Sequence, residues 1–242
     1  MNSYTFTTKG HTSALEYAAK ELVLAGWQQV PDAPVILLPV PSLDANGHIK
    51  GGGTLETIPA GAMVIGGNLH HAACKQHRCI DLLQNPHYLS ENAAITAHCA
   101  LCIAMENLPV TLSDCNVLVL GWGRIGKCLV RLLRLMGASV TVGARKESDR
   151  ALAEALGYQV LDTENSSPDL SSYRVIFNTV PAMVLPARKL STCPSNCLKI
   201  DLASEPGIEG ADVIWARGLP NMDAPESSGK LIARIVRKEL EK

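Results

Sequence analysis

Six residues, Gly121 to Gly126, have the types and spacing most readily tied to a chemical role. They read Gly-Trp-Gly-Arg-Ile-Gly, they follow the apolar run 116–120, and apolar residues recur behind them with helical spacing up to Met136. Three glycines between a strand and a helix are typical of a dinucleotide-binding loop, whose glycines allow a tight turn, close approach of a pyrophosphate, and close helix–strand packing. The N–H groups and positive dipole end of the helix then attract the phosphates. The predicted contacts here are Gly121, Trp122, Gly123, Arg124, Ile125 and Gly126; a glycine-rich turn without a ligand is the alternative.

The end of the next strand indicates which dinucleotide is bound. An NAD site usually places Asp or Glu about 20 residues past the glycines, where it binds the ribose 2′-OH. Here the strand 138–142 is followed by Gly143 and Ala144, and then by Arg145 and Lys146. An arginine can bind a 2′-phosphate through two hydrogen bonds, whereas a carboxylate would repel it. The sequence therefore predicts NADP(H), with Arg145 and Lys146 as contacts; a solvated basic turn is the alternative.

Composition narrows the function classes. The chain has 242 residues, is 47% hydrophobic, and carries a net charge of −1, so nothing indicates a nucleic-acid or anionic-membrane partner. We see no secretory signal pattern and no apolar run of the about 20 residues that span a bilayer. We therefore expect a cytoplasmic protein whose eight cysteines are reduced thiols.

The C-terminal half alternates strand-like and helical patterns, which predicts a parallel sheet. The expected fold is α/β: a doubly wound parallel Rossmann sheet with a second, smaller α/β domain. The small, substrate-side domain is expected over 1–92, and the NADP-binding domain with its linker helix over 93–225. A last helix, 226–242, is expected to pack on the small domain. The predicted strands are 117–120, 139–142, 158–161, 175–178, 198–202 and 213–216, with 35–38 and 63–65 in the small domain; the predicted helices include 12–25, 90–108 and 147–156.

Ligands of doubly wound sheets lie beyond the carboxyl ends of the strands. That rule adds further cofactor candidates, which are Asn178, Thr179, Val180, Pro181, Asp201, Leu202 and Ala203. In the small domain it selects Ser42 and Asn68 for the substrate. We expect all of these residues to converge on one interdomain cleft. The alternative is that the neighbouring Pro and Gly residues only terminate strands.

Three other clusters are weaker. His70, Cys74 and His77 would share a face of a helix, but their spacing matches no zinc-finger pattern, so no metal site is predicted. Cys99 and Cys102 fall in an apolar helix, which favours buried structural thiols. The segment 227–230, Ser-Ser-Gly-Lys, lacks the first glycine and the preceding strand of a phosphate loop.

Taken together, these segments resemble the A subunit of dipicolinate synthase, from about Val35 onward. The matching segments are 36–40, 121–126, 142–145, 178–181, 201–204 with 206–207, 218–220, 224–225 and Gly229. The resemblance implies an NADP-dependent oxidoreductase subunit that makes dipicolinic acid for bacterial spores. It also implies a heterocyclic dicarboxylate substrate of the hydroxy-tetrahydrodipicolinate type, and its implied partner is a flavoprotein B subunit. A homo-oligomer is left open.

The chain departs from this family at two points. The N-terminal domain is short, as if one strand–helix unit were missing, and His98 stands in the linker helix where an acidic residue is expected. The D-2-hydroxyacid dehydrogenases have a similar domain layout, but they place an Arg and a catalytic His where this chain has Ala203-Ser204 and Asn221. A non-catalytic NADP-binding subunit is the third alternative.

A dicarboxylate needs hydrogen-bond donors. Asn92 and Thr96 are four residues apart, so they share a face at what we predict to be the start of the linker helix, where the dipole would favour an anion. Ser42 and Asn68 would face them from the small domain. His98 is the candidate proton carrier, because its ordinary pKa suits that role.

Overall fold

A computed structural model describes residues 4–69 and 76–241, and divides the chain into two compact units. Unit 1 comprises Met1–Ile95 and Pro220–Lys242, and unit 2 comprises Thr96–Leu219. The boundaries drawn from the sequence were 92/93 and 225/226. Over the described ranges, no helix has the length and apolar character needed to cross a bilayer.

Unit 2 is built on a six-stranded parallel sheet in the order β11-β10-β9-β6-β7-β8. Counted from β6, this is the 3-2-1-4-5-6 order of a doubly wound dinucleotide-binding sheet. The strands are β6 (Asn116–Leu120), β7 (Ser139–Ala144), β8 (Gln159–Asp162), β9 (Val175–Asn178), β10 (Leu198–Asp201) and β11 (Val213–Trp215), and the crossover helices are α3 (Arg124–Leu135) and α4 (Glu147–Ala155). The expected α/β fold class is confirmed.

The apolar runs of unit 2 form central strands because both faces of the sheet are covered. Residues Val117 to Leu120 are fully buried, as in strands covered on both faces. The crossover helix α3 contacts β6 and β7, and its buried residues include Leu129 and Leu133. On the opposite face, Leu118 and Leu120 pack in a cluster with side chains such as Leu185 and Ile208, which come from non-helical segments.

Unit 1 contains a five-stranded parallel sheet in the order β2-β1-β3-β4-β5. This 2-1-3-4-5 order is the other common doubly wound arrangement. The strands are β1 (Thr5–Thr8), β2 (Gln28–Gln29), β3 (Val35–Leu37), β4 (Met63–Gly66) and β5 (Arg78–Asp81). The sequence suggested that one strand–helix unit is missing from this domain, but unit 1 has all five strands of that order. The sequence analysis placed His70, Cys74 and His77 on one helix. That prediction is wrong at His77, because β5 begins at the next residue, Arg78. His70 and Cys74 lie outside the described residues.

Alternate side chains of the unit 1 sheet belong to two cores. Leu37 and Ile65 face a core shared with α1 (Ser13–Leu24) and α6 (Pro225–Leu240), while Ile36 and Val64 face a layer of loop residues. The two helices pack closely at Gly229, where any Cβ would overlap Tyr17 and the backbone of α1. The segment 227–230 thus lies inside a packed helix.

The linker helix α2 spans Pro86–Asn107, and it begins four residues earlier than the sequence predicted. The Asn85 side-chain oxygen accepts hydrogen bonds from the N–H groups of His87 and Tyr88, both at 3.0 Å, so Asn85 is the N-cap and proline occupies the first turn. Asn92 and Thr96 consequently lie beyond the first turn. The expected dipole support for an anion there was wrong, because that effect falls off within one turn.

Candidate active site

A cleft of about 670 Å³ opens in unit 2 at the carboxyl ends of β6, β7, β8 and β9. This is the side of the sheet where the doubly wound fold binds ligands, and β6 and β9 flank the point where the strand order reverses. The residues lining the cleft are Gly121, Trp122, Gly143, Ala144, Arg145, Lys146, Asp149, Thr163, Glu164, Val180, Pro181, Ala182, Met183, Val184 and Lys189.

The glycine loop has the geometry of a phosphate cradle. Gly121 has a φ of +103°, and a Cβ there would overlap the Thr179 hydroxyl. A Cβ at Gly126 would overlap the carbonyl oxygen of Gly121, so the helix approaches the loop as closely as glycine permits. A Cβ at Gly123 would meet nothing within 4 Å. Gly123 is also the N-cap of α3 and offers no side-chain cap, so no cap side chain occupies the N–H groups of the first turn.

Trp122 forms one wall of this loop and is 9% exposed. The Tyr158 ring meets it edge-on at 6.0 Å, and the Lys127 ammonium lies 5.7 Å from its ring centroid. Its indole Nε1 is buried and has no hydrogen-bond partner among the described residues. Packing between an aromatic ring and a cation holds the indole in place, so its fluorescence can report on the cleft.

The turn after β7 presents two exposed cations, Arg145 and Lys146, and neither side chain is paired within the described ranges. Arg150 holds the backbone of this turn: its Nη1 donates to the carbonyl oxygens of Ala144 at 3.0 Å and Arg145 at 2.7 Å, and lies 3.2 Å from the Asp162 carboxylate. The guanidinium of Arg150 is thus engaged in hydrogen bonds and an ion pair within the protein, whereas that of Arg145 remains available to a ligand.

Sequence reasoning missed three charged residues of the cleft. Asp149 lies in the first turn of α4, Glu164 follows β8, and Lys189 comes from a turn after β9. The strand-end rule that selected residues after β9 and β10 would also have selected Thr163 and Glu164. No pattern in the sequence marks Lys189, because it reaches the cleft from a segment without regular periodicity.

Two predicted cofactor residues, Asn178 and Asp201, are fully buried and do not line the cleft. The Asp201 carboxylate accepts hydrogen bonds from Asn178 Nδ2 (2.8 Å) and from the N–H groups of Ala203 (3.0 Å), Gly207 (2.7 Å) and Ile208 (3.2 Å). These bonds tie the loop after β9 to the loop after β10. The pair therefore shapes the wall that Val180 and Pro181 present to the cleft.

The remaining predicted contacts do not line the cleft. Thr179 joins the loop after β9 to the end of β6, because its N–H and hydroxyl both donate to the Leu120 carbonyl oxygen, at 2.8 and 2.9 Å. Leu202 and Ala203 are buried, while Gly123, Arg124, Ile125 and Gly126 lie at the start of α3, outside the lining of the cleft.

In unit 1, the structure brings Ser42 and Asn68 to the same edge of the sheet. Ser42 is fully buried; its hydroxyl donates to the Pro39 carbonyl at 2.7 Å and accepts from Gly67 N–H at 2.9 Å. Ser42 therefore joins the loops after β3 and β4. Asn68 has a φ of +65° and an exposed side chain, and its N–H donates to Asp81 at 3.0 Å.

The three candidates on α2 do not share one face. Thr96 is buried, Asn92 is half-buried, and His98 is exposed. Asn92 and Thr96 are one turn apart, but residues two apart on a helix point in different directions, so Thr96 and His98 cannot face the same side of α2.

The described cysteines form no disulfide, and the described residues contain no group of three or more metal-ligating side chains. Burial raises the pKa of the Cys197 thiol to about 12, with the neighbouring Cys193 adding to the shift. Cys197 therefore stays protonated at neutral pH. Cys99 is buried on α2, but Cys102 is exposed there, so the expectation of a buried thiol was wrong for Cys102.

Comparison with known proteins gives one sequence relative and clear structural neighbours. No protein-family model matches the chain. The A subunit of dipicolinate synthase from Bacillus subtilis (strain 168) is 28% identical over 177 residues, which is 70% of this chain and 60% of that protein. The alignment thus spans less than two thirds of the relative.

Two solved structures illustrate the fold. The A subunit of dipicolinate synthase from Bacillus halodurans superposes with a TM-score of 0.83 at 24% identity, covering 99% of both chains. A transhydrogenase from Sinorhizobium meliloti gives a TM-score of 0.73 at 14% identity, covering 98% of this chain and 93% of its own. The chain therefore has a Rossmann-like α/β fold and is similar to the A subunit of dipicolinate synthase.

Proposed function

We propose that this chain is an NADP(H)-binding oxidoreductase subunit that acts on a heterocyclic dicarboxylate of the hydroxy-tetrahydrodipicolinate type and works with a flavoprotein B subunit. The observation that carries the cofactor part is the cleft of unit 2, whose lining includes Gly121 at the start of the glycine loop and the two unpaired cations Arg145 and Lys146. The similarity to the A subunit of dipicolinate synthase supports the substrate and partner, which rest on it alone.

The residues of the cleft fit a dinucleotide phosphate. Open space at Gly123 and the N–H groups of the α3 first turn would hold the pyrophosphate. Val180 and Pro181 would bound the cavity from the β9 side, and Arg145 would bind the 2′-phosphate. When bound, a nicotinamide dinucleotide supplies or accepts a hydride. The contribution of the chain is to hold cofactor and substrate in register, a positioning effect that lowers barriers by several kcal/mol.

We expect the protein to bind NADPH more tightly than NADH, and Arg145→Ala to remove most of that preference. The reason is that Arg145 is unpaired at the turn after β7, where a charge-assisted pair with a phosphate contributes about 1–3 kcal/mol. Titration calorimetry with both cofactors measures it. Arg131→Ala, an exposed cation on α3 that does not line the cleft, is the matched control.

Two carboxylates in the cleft could instead favour NAD(H), which would contradict the predicted preference for NADPH. Glu164 follows β8 and Asp149 begins α4, and either one could accept a hydrogen bond from a ribose 2′-OH. If the unmutated protein binds NADH as well as NADPH, and Glu164→Gln weakens NADH binding, the site belongs to NAD and the NADP assignment is wrong.

For the substrate, we propose Asn92 and Thr96 as donors, with Ser42 and Asn68 at the edge of the unit 1 sheet. The internal hydrogen bonds of Ser42 give it a supporting role, whereas the Asn68 side chain is exposed. His98 remains the proposed proton carrier, but it lies on another face of α2 than Thr96. If Asn92→Ala and His98→Gln both leave turnover unchanged, the assignment of α2 to the substrate is wrong.

The function itself is tested by incubating the purified chain with the heterocycle and NADP⁺, with and without a candidate flavoprotein. Appearance of the ultraviolet spectrum of dipicolinate is the expected result. Tight NADPH binding without substrate-dependent turnover under either condition would instead identify a non-catalytic NADP-binding subunit.

A further inference from the structure

Lys189 is a buried cation without a charged partner. Its side chain lines the cleft of unit 2, yet the residue is only 8% exposed. Its ammonium donates one hydrogen bond, to the Thr163 carbonyl oxygen at 2.6 Å, and forms no ion pair within the described ranges. An ammonium has three N–H donors, and a buried charge is unfavourable unless it is paired. The nearby carboxylates of Asp149 and Glu164 line the same cavity but do not pair with it.

The hydrogen bonds around Lys189 locate its ammonium beside the turn after β7. Strands β7 and β8 are paired so that Ala144 lies opposite Asp162, and the Thr163 N–H donates to the Ala144 carbonyl at 3.4 Å. Since Lys189 binds the carbonyl of that same Thr163, its ammonium lies near the residue that precedes Arg145. In doubly wound sheets the adenosine ribose reaches the end of this second strand.

We propose that Lys189 is a second cation for the 2′-phosphate of NADP(H), approaching it from the β9 side while Arg145 approaches from β7. This inference rests on the proposed function, because it places a residue within the same cofactor site. The 2′-phosphate would supply the negative charge that the Lys189 ammonium lacks within the protein. Lys189 is thus a specificity residue for NADP(H) over NAD(H).

Three variants test the role. Lys189→Gln removes the charge but keeps an N–H donor for the Thr163 carbonyl; Lys189→Arg keeps the charge; Arg188→Gln removes an exposed cation of the same turn that does not line the cleft. Calorimetric titration of each with NADPH and with NADH is the measurement. We expect Lys189→Gln to weaken NADPH binding by about 10–100-fold while NADH binding is unchanged. Lys189→Arg and Arg188→Gln should retain the preference of the unmutated protein.

The contrary outcomes separate the two proposals. Equal loss of NADPH and NADH affinity in Lys189→Gln would mean that Lys189 serves the shared part of the cofactor or only the fold, and would overturn this inference alone. A retained preference in Lys189→Gln would overturn it as well. Binding of neither cofactor by the unmutated protein would overturn the proposed function.

A second measurement does not depend on the folding of Lys189→Gln. In unmutated protein labelled with ¹⁵N-lysine, the Lys189 ammonium signal is assigned by its absence from Lys189→Arg. Adenosine 2′,5′-bisphosphate should shift that signal, and adenosine 5′-monophosphate should not. Equal shifts with both nucleotides would overturn the inference.

Discussion

At the scale of single residues, the polar groups that organise the candidate site are distinct from the cations that line its cavity. Asp201 accepts four hydrogen bonds while fully buried, and it joins the loops after β9 and β10. The cations of Arg145 and Lys189 line the cavity instead. A buried carboxylate with all its acceptors used stabilises a single loop arrangement, because any other arrangement would leave a buried charge without donors.

We therefore expect Asp201→Asn to destabilise the protein by about 2–4 kcal/mol, because the new NH₂ group would face N–H donors where an oxygen now accepts them. Urea denaturation followed by circular dichroism measures the loss. Glu205→Gln, an exposed change in the same loop, should stay within about 0.5 kcal/mol. Equal stability of Asp201→Asn and the unmutated protein would show that the loops do not depend on this carboxylate.

Residue types at strand ends could be predicted from the sequence, but their roles could not. The rule for parallel strands selected Asn178 and Asp201 as cofactor contacts, without showing that they are buried and bind each other. It could not select Lys189, because nothing in the local sequence indicates that a turn returns to Thr163. Which polar group faces a ligand depends on contacts between segments far apart in the chain.

At the scale of elements, buried apolar runs such as those of β6 and β9 were predicted with bounds close to those observed. By contrast, β1 buries only Phe6, and both residues of β2 are exposed. Such strands have little periodic signal, so β1, β2 and β5 were not predicted. The start of α2 was missed for another reason: the capping residue Asn85 precedes a proline, and Ser90 offered a competing start one turn later.

The corrected start of α2 predicts that Asn85→Ala will cost about 1 kcal/mol of stability, since two N–H groups lose their cap. Asn85 Nδ2 also donates to the Glu239 carboxylate at 3.1 Å, so the control is Asn85→Ser, which keeps an accepting oxygen for the cap without placing a second carboxylate beside Glu239 and should retain most of the stability. Ser90→Ala should have little effect, because its hydroxyl only returns to the Pro86 carbonyl on an exposed turn. Thermal unfolding of the three variants decides between the two starts: a larger loss at Ser90 than at Asn85 would contradict the placement at Pro86.

Lys199 of β10 forms an ion pair with Asp212, the residue before β11, and the contribution of this ion pair to stability depends on pH. The hydrogen bond from Lys199 lowers the pKa of Asp212 below its ordinary value of 3.8. Burial pulls the pKa of Lys199 down, but its hydrogen bond to Asp212 and the adjacent charges outweigh that effect and leave it raised above 10.5. The stabilisation is present above the ordinary aspartate pKa and is lost as pH falls through the lowered one. On the alkaline side, it is lost as pH rises through the raised lysine pKa.

Asp212→Asn should therefore be less stable than the unmutated protein at neutral pH, and the difference should shrink as the pH falls below 3.8. Denaturation at a series of pH values gives this difference directly. Asp212 is largely exposed, so added salt should also reduce the difference. Glu154→Gln, an exposed change on α4, serves as the control. A difference that stays constant from neutral to acid pH would mean that the ion pair does not carry it.

At the scale of the whole molecule, each unit has its own parallel sheet and its own core, and each has a large groove. The groove of unit 1, about 770 Å³, runs along α1 and is lined by residues such as His11, Leu15 and Leu24. It is larger than the cleft of unit 2, yet it lies along a helix and an edge strand rather than at a reversal of strand order. Size alone would select the groove, whereas the topology of the doubly wound sheet selects the cleft.

These alternatives predict different patterns of amide hydrogen exchange. On addition of NADPH, we expect slower exchange in the loops of unit 2 over 121–126, 143–146, 163–164 and 180–184, because a ligand that binds only the folded state suppresses local opening around its site. The segments that line the α1 groove, 8–12 and 15–29, should exchange as before. Arg145→Ala, measured at the same NADPH concentration, should reduce the protection of unit 2 and leave unit 1 unchanged. Protection along the α1 groove, with none in the unit 2 loops, would move the cofactor site to unit 1 and overturn the assignment of the cleft.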